Sequence, residues 1–386
     1  MDRWTERFSR LDARRLPSPC FVVDEASIEE NLKLLRKVQD ASGAKVLLAL
    51  KAFSMWSMGP LVVKYLSGTC ASGVHEAKLG REYFGGEVHT YSAAYSEADL
   101  KEVLKLSDHV VFNTPAQWKR YKNLCEKEKN KHFGLRVNPE HSEGHTALYD
   151  PAAPFSRLGT PRAEIKPGDL DGLSGLHFHT LCEHDFPPLE RTLAAFEAGF
   201  GALMKGMEWA NFGGGHHITR PGYQVDSLVS LVKAFSDKYR VQVYLEPGEA
   251  IAYRSGVLVA EVLDLMHNGM PIAILDTSAT CHMPDTLEMP YRAQIIGAGE
   301  AGAQAHTYRL GGQSCLAGDV IGDYSFAQPL RIGQRLVFED MAYYSMVKTT
   351  TFNGVRLPSI AIWNSKSDAI KVVRDFGYED FKGRLS

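Results

Sequence analysis

The chain has 386 residues, 44% of them apolar and 23% charged, an ordinary globular composition that can bury a large core without disulfide or metal staples. Lys plus Arg number 43 and Asp plus Glu 46, a formal net charge of -3, which argues against a nucleic-acid binder with its basic excess. No apolar run reaches the roughly 18 residues of a membrane helix, and the charged start, MDRWTERFSR, has no secretory h-region, so a cytoplasmic protein is expected.

The six cysteines (Cys20, Cys70, Cys125, Cys182, Cys281 and Cys315) are scattered without a C-x-x-C and read as reduced thiols, most of them small buried hydrophobes. In chain order, the first helix is signalled by Ser27 and Glu30, an S-x-x-E capping box ahead of ENLKLLRKVQ. Eight strands are then predicted: KVLLALKA (45–52), TCAS (69–72), VHTYS (88–92), HVVFN (109–113), FGLRVN (133–138), GLHFHTL (175–181), WANFGGG (209–215) and VQVYLEP (241–247). Most are continuous apolar runs, as strands buried on both faces are. Helical segments such as EAKLGREYF, SEADLKEVLKL, AQWKRYKNLCEKE, LERTLAAFEAGFGALMKG and VDSLVSLVKAFSDKY lie between them. This alternation predicts an α/β fold, a TIM-like (β/α)8 barrel over residues 25–249. The connection 139–172 is long and irregular, the mark of a functional or mobile loop. Beyond residue 250 the pattern turns β-rich: SGVLVAEVLDLM, PIAILDT, RAQIIGA, QRLVFED and PSIAIW, with a hairpin signal at Asn268-Gly269. A mainly β domain over 250–386 follows, joined by residues 1–24 with their strand CFVVD.

In such a barrel the chemistry gathers at the C-terminal ends of the strands. Lys51 closes the first apolar strand; it can simply snorkel to solvent, or serve as a desolvated amine fit for a Schiff base. Gly213–Gly215 can be a plain turn or a backbone cradle for phosphate. His177 and His179 share one face of a strand and could open a metal site with Glu246, but no third histidine stands at another strand end. Glu246 can equally be an ordinary turn carboxylate or the partner of a pyridinium nitrogen. Cys315 and Asp319 sit in a glycine-framed turn, and Tyr343 in an aromatic pair, both readable as plain structure.

The segments LKAF (50–53), RVNP (136–139), SRLG (156–159), GLHFH (175–179), FGGG (212–215), EPG (246–248), GQSCLAGD (312–319), AY (342–343) and FNG (352–354) occur in one order. In that order the chain resembles the fold-type III pyridoxal-phosphate decarboxylases, the ornithine and diaminopimelate decarboxylase family, from about residue 17 to 355. ALKAFS, HFHTLCE, NFGGGHH, EPGEA and CLAGD make it most similar to the branch acting on carboxynorspermidine and carboxyspermidine. The resemblance implies an alanine racemase-like fold, a barrel plus a C-terminal β domain, and pyridoxal 5'-phosphate as cofactor. It implies Lys51 as the Schiff-base lysine, His179 stacked on the pyridine ring, Gly214 and Gly215 around the phosphate with Tyr343 nearby, and Glu246 on the pyridine nitrogen. Ser72 and Arg136 fall among the cofactor-binding positions, and His75 or Glu76 near the family's second-strand site residues. Cys315, a proton donor to Cα, and Asp319 are implied to come from the other subunit of a homodimer with shared sites. The polyamine tail of the substrate needs carboxylates, for which Glu249, Asp276, Asp285 and Asp319 are candidates. Two departures separate the chain from ornithine and diaminopimelate enzymes: Leu316 replaces an acid after the cysteine, and Glu249 replaces the arginine of E-P-G-R. The competing readings are another basic amino-acid decarboxylase of the same family, a cofactor-binding relative without catalysis, and a metal-dependent barrel hydrolase.

Overall fold

The structure is a computed structural model that describes residues 3–144 and 147–386. The chain divides into two compact units, Glu29–Ile251 and the N-terminal stretch through Ile28 together with Ala252–Ser386. The first strand, β1 (Cys20–Asp24), belongs to the latter and is buried along its length. The helix after it, Glu25–Ser42, begins earlier than the Ser27–Glu30 box implies. Asp24 closes it: its carboxylate accepts the N–H groups of Ala26 and Ser27 at 3.2 and 3.1 Å and the Ser27 hydroxyl at 2.6 Å. A buried carboxylate at the strand end thus satisfies the orphan donors, and Ser27 lies inside the first turn.

Within Glu29–Ile251 the strands are β2 (Lys45–Ala49), β3 (Gly68–Ala71), β4 (Glu87–Tyr91), β5 (His109–Phe112), β6 (His132–Asn138), β7 (Thr160–Pro161), β8 (Gly175–His177), β9 (Trp209–Asn211) and β10 (Gln242–Leu245). All but β7 join in a closed parallel ring, β2-β3-β4-β5-β6-β8-β9-β10 and back to β2, while β7 pairs only with β6. Every strand predicted for the barrel is present, in the predicted order. Leu47, Val111, Trp209 and Tyr244, from four strands, meet in one buried cluster. Gly134 and Gly175 make room for it, since a Cβ at either would overlap the Trp209 ring. Between strands run helices 97–106, capped by the Ser96 hydroxyl, and 115–125, capped by Thr114 with Pro115 in the first turn. Helices 186–200 and 225–239 follow. Among the described residues the 139–172 connection holds only short turns and β7, but it is tied down: Asn113 accepts Gly159 N–H at 2.7 Å and donates to Arg157 O at 2.8 Å.

The other unit adds β11 (Gly256–His267), β12 (Pro271–Leu275), β13 (Ala298–Glu300), β14 (His306–Gly311), β15 (Val320–Phe326), β16 (Arg335–Glu339), β17 (Ser359–Asn364) and β18 (Ala369–Arg374). Their order is β13-β15-β14-β12-β11-β1-β17-β18, with β16 on β11. Phe8, Val22, Val257, Val259 and Trp363 are core residues of this sheet. Asn268-Gly269 does join β11 to β12. The strand expected over RAQIIGA is instead a connection with one bridge at Ile295, because Arg292 is drawn onto the Tyr324 ring at 3.9 Å and to Gly299 O at 2.8 Å. No helix among the described residues is long and apolar enough to cross a membrane.

Candidate active site

The C-terminal strand ends of the barrel carry a connected polar set. Lys51 lies just past β2, reaching into the barrel mouth, with Nζ 3.3 Å from His179 Nε2. Gly214 donates its N–H to His179 Nδ1 at 2.9 Å. That bond decides the tautomer: Nδ1 is the acceptor, so the proton of a neutral ring sits on Nε2, facing Lys51. A neutral amine can accept from it; an ammonium cannot. Burial, with Lys51 and Arg136 adding to it, pushes the His179 ring well below its ordinary value. The Lys51 side chain is exposed at the open mouth, yet the protein around its amine shifts it below its ordinary value, helped by Arg136 and opposed by Cys70 and Glu246.

Glu246 stands past β10. Its Oε1 accepts Asn211 Nδ2–H at 2.7 Å, and its Oε2 is 3.5 Å from His177 Nε2. Asn211 Oδ1 accepts Gly213 N–H at 2.8 Å, and Gly213 O accepts Glu246 N–H at 2.7 Å, so one glycine links the two sides of the site. Burial alone would raise the Glu246 carboxyl; His177, His89 and Asn211 outweigh it and hold the group ionised, below the usual carboxylate range. A Cβ at Gly214 would overlap the Glu246 carbonyl, and one at Gly215 the Leu181 carbonyl. Backbone is therefore packed directly on backbone here. The Gly214 N–H is already committed to His179, so in this arrangement Gly214 orients the ring.

Arg136, 4% exposed, lies over the Tyr91 ring at 4.6 Å and donates to His179 O at 2.7 Å. On β3's far end, Ser72 N–H donates to Glu76 at 2.6 Å, and the Glu76 carboxyl is raised by burial against the field of Lys51. Of the two second-strand candidates, Glu76 therefore faces Lys51 electrostatically, while His75 is exposed on the wall of a cleft of about 410 Å³. Glu249 pairs with His217, Oε2 to Nε2 3.0 Å, and the nearby Glu183 carboxyl is raised by burial and by Glu249.

In the β unit, Cys315 is exposed and its N–H donates to Asn353 Oδ1 at 2.6 Å. Asp319, a candidate partner for substrate amines, is instead 4% exposed and turned into its own loop: it accepts the Ser278 and Ser314 hydroxyls at 2.8 and 2.6 Å and the Ser314 N–H at 3.2 Å. It anchors the loop of Cys315. Asp276, 8% exposed, accepts Glu261 N–H at 2.8 Å, and Asp285 accepts the Tyr291 and Ser345 hydroxyls at 2.7 and 2.8 Å. Both serve their own unit first. Tyr343 donates to Asp340 at 2.9 Å. The residues that sequence reasoning left out are Asn211, Tyr91, Asn113, Cys70, Glu183 and Asn353; Asn211, Glu183 and Asn353 stood inside the motifs quoted for the resemblance, and the rest lay in predicted strands with no functional signal.

The metal reading of His177, His179 and Glu246 fails on direction. His179 turns Nδ1 to Gly214 and Nε2 to Lys51, while His177 turns Nε2 to Glu246. Among the described residues, Glu87, His89 and His109 have ligand spacing, but at the opposite, N-terminal strand ends. There Lys45 ion-pairs with Glu87, and the two rings stack at 3.8 Å and 11°, which sets their lone pairs in parallel planes. This is a packed polar cluster, not a converging ligand set.

The barrel mouth does fit pyridoxal phosphate: an amine held toward neutrality, a glycine floor no side chain can enter, a neutral imidazole and an ionised buried carboxylate. The family model described as pyridoxal-dependent decarboxylase, C-terminal sheet domain, matches residues 20–342. The carboxynorspermidine/carboxyspermidine decarboxylase of Campylobacter jejuni is 43% identical over 381 residues, covering 96% of this chain and 99% of the relative. The carboxyaminopropylagmatine decarboxylase of Synechocystis is 43% identical over 372 residues, 96% of each chain. The crystal structure of carboxynorspermidine decarboxylase with norspermidine, from Campylobacter jejuni, superposes with a TM-score of 0.89 at 42% identity, covering 96% of this chain and all of that one. The fold, the site at the barrel mouth and these likenesses agree, and the chain belongs to the pyridoxal-dependent decarboxylases.

Proposed function

We propose that the chain removes the α-carboxyl of carboxynorspermidine and carboxyspermidine, as a cytoplasmic homodimer whose sites combine Lys51 of one subunit with Cys315 of the other. The arrangement of Lys51 on a neutral His179, opposite the ionised Glu246, carries this reading. Six free thiols suit a reducing compartment. Pyridoxal phosphate, when bound, supplies the electron sink that accepts the pair left behind as CO2 departs. Lys51 brings an amine in the form that bonds to a carbonyl. His179, fixed by Gly214 and Arg136, presents a flat uncharged face, and Gly214 and Gly215, packed backbone on backbone, keep the floor beside it clear of side chains. Glu246 holds a negative charge where a pyridine nitrogen needs one. Ser72, at the end of β3, borders the place of the cofactor.

Cys315, exposed on a loop held by Asn353 and Asp319, offers a thiol that can return a proton to Cα. The substrate's cationic tail calls for carboxylates. Glu76, Glu183 and Glu249 stand at the barrel mouth, and the half-buried Glu76 has a carboxyl raised by burial, so an arriving ammonium would relieve an existing penalty there. Leu316, 45% exposed, offers methylene surface where an acid would meet a short substrate's ammonium. Mixing inactive K51A with inactive C315A tests the shared site: activity should return as mixed dimers form. Demonstrated subunit exchange with no recovered activity would refute it. A second reading, carboxyaminopropylagmatine, is favoured by the equally similar Synechocystis relative, and kcat/KM measured across the three compounds decides between them.

A further inference from the structure

His177 is the polar residue of the barrel interior that the reading above does not use. It is 2% exposed, at the end of β8, between Tyr91, whose ring it meets edge-on at 5.6 Å, and Glu246. An imidazole in that position is costly unless a partner takes its N–H, because burial strips its water and leaves a donor and an acceptor to be satisfied. Neither ring nitrogen makes a hydrogen bond of ordinary length among the described residues. The polar group its Nε2 approaches is Glu246 Oε2, at 3.5 Å. The other carboxylate oxygen is taken by Asn211. Glu246 is thus gripped on one side by an amide and faced on the other by an imidazole, and neither of these lies at the open end where Lys51 and His179 stand.

We propose that His177 is a positioning residue that acts through Glu246, holding the carboxylate in the place and form that would meet the ring nitrogen of the cofactor. This rests on the assignment of Glu246 to that nitrogen. The charged and titratable groups around the pair are consistent with it. Arg136 lies over the Tyr91 ring, Lys51 and His89 act on the pair through their charge, and the Cys70 thiol lies against the same carboxylate. Burial pushes the His177 ring below its ordinary value, with Glu246 opposing the shift. The anion at Glu246 thus has the Asn211 amide at 2.7 Å on one oxygen and the His177 ring at 3.5 Å from the other. A lysine or arginine in place of His177 would neutralise that anion and remove the partner the ring nitrogen needs.

Binding of pyridoxal phosphate and of its 1-deaza analogue, which lacks the ring nitrogen, tests this without turnover. Wild type should prefer the natural cofactor, and E246Q should lose the preference. H177L and H177F remove the donor, the second keeping a flat ring against Tyr91, and should lose on the order of tenfold of the same preference, the worth of one hydrogen bond to a charged group. H177N and H177Q should restore most of it. If E246Q keeps the preference, the assignment of Glu246 is wrong. If E246Q loses it while H177L or H177F keeps it in full, the role given to His177 is wrong. Should neither apolar variant fold, the infrared carboxylate band of Glu246 in wild-type protein, assigned by its loss in E246Q, decides: ionised throughout the usual carboxylate range supports the proposal, and an ordinary titration overturns it.

Discussion

Gly213→Ala places one methyl at the junction of the site, and its effect can be worked from the structure. Gly213 has φ +68, a left-handed backbone, where a side chain costs roughly 1–2 kcal/mol. Its Cβ would stand 2.6 Å from His179 Cβ, 2.6 Å from Phe178 O and 2.7 Å from His179 Nδ1. Ordinary carbon contacts begin near ~3.5 Å, so the ring or the loop must retreat by about 1 Å. Overpacking of that kind costs about 1–3 kcal/mol. The retreat breaks the bond from Gly214 N–H to His179, worth about 1 kcal/mol. Restricting the unfolded chain returns roughly 0.5 kcal/mol. The net expectation is a loss of about 2.5–5.5 kcal/mol in urea unfolding, with cofactor affinity down on the order of tenfold as His179 leaves Lys51. G206A is the control: Gly206 has φ +88 in the same unit, but a Cβ there meets nothing within 4 Å, so it carries the backbone strain alone. If G213A destabilises no more than G206A and binds cofactor like wild type, the packing argument for the glycine floor is wrong.

Acid should destabilise the fold through its buried histidines. Burial holds His109, His177, His216 and His282 below their ordinary values, His216 to about 3 and His282 to about 4. A base depressed in the folded state takes its proton first in the unfolded chain, so stability is complete above about pH 6.5 and falls below it, by up to about 1.4 kcal/mol per pH unit for each ring. Urea midpoints from pH 7 to 5 should show this slope, and H109F, which keeps the stack on His89, should flatten it; an unchanged slope would remove His109 from the account. Glu87, held at about 2 where burial is outweighed by His89 and Lys45, adds a loss of the same sign below about pH 4.3. Asp319→Ala leaves the Ser278 and Ser314 hydroxyls without their acceptor and should cost about 3 kcal/mol, with faster alkylation of Cys315 as the loop loosens; equal alkylation rates would show that Asp319 does not hold it. Leu316→Asp should lower kcat/KM for the long substrates at least tenfold while leaving cofactor absorbance intact, and undiminished turnover would remove Leu316 from the substrate path.

The barrel was legible because its signal is local. KVLLALKA, HVVFN and VQVYLEP are short apolar runs buried on both faces, and parallel strands need that composition. Once the strands are placed, topology does the rest: their C-terminal ends must share one mouth, so Lys51, His179, Gly213 and Glu246 meet although they are distant in sequence. What failed was also local. Ser27 and Glu30 have the spacing of a capping box, yet a stronger acceptor, Asp24, stands three residues earlier and wins the helix N-terminus. The strands β14 and β15 were unmarked because polar residues break their apolar runs, Arg309 exposed in one and Asp323 half-buried in the other, and β18 is largely at the surface. Asn211 had no readable role, since it meets the site only through Glu246, which reaches it from another strand, and His177 was readable only as a metal ligand although it too stands beside Glu246.

The acids of the β unit show where composition stops informing. Asp276, Asp285 and Asp319 read as partners for a cationic tail because a carboxylate near a glycine turn looks the same whether it faces a ligand or its own backbone. In the fold Asp319 is fully claimed, by the Ser278 and Ser314 hydroxyls and two backbone N–H groups, whereas Asp276 accepts Glu261 N–H yet is raised by burial, and Asp285 holds the Tyr291 and Ser345 hydroxyls on one oxygen while the other is buried without a hydrogen bond among the described residues. A carboxylate with a full set of internal donors gains little from an added ammonium and loses its loop if it turns outward. Glu76 and Asp276 have the opposite balance: each is raised by burial that its own hydrogen bonds do not offset. That difference is set by burial and donor count, neither of which is written in the residue type. It is why Asp319 drops out as a partner for a cationic tail while Glu76 and Asp276 stay as candidates.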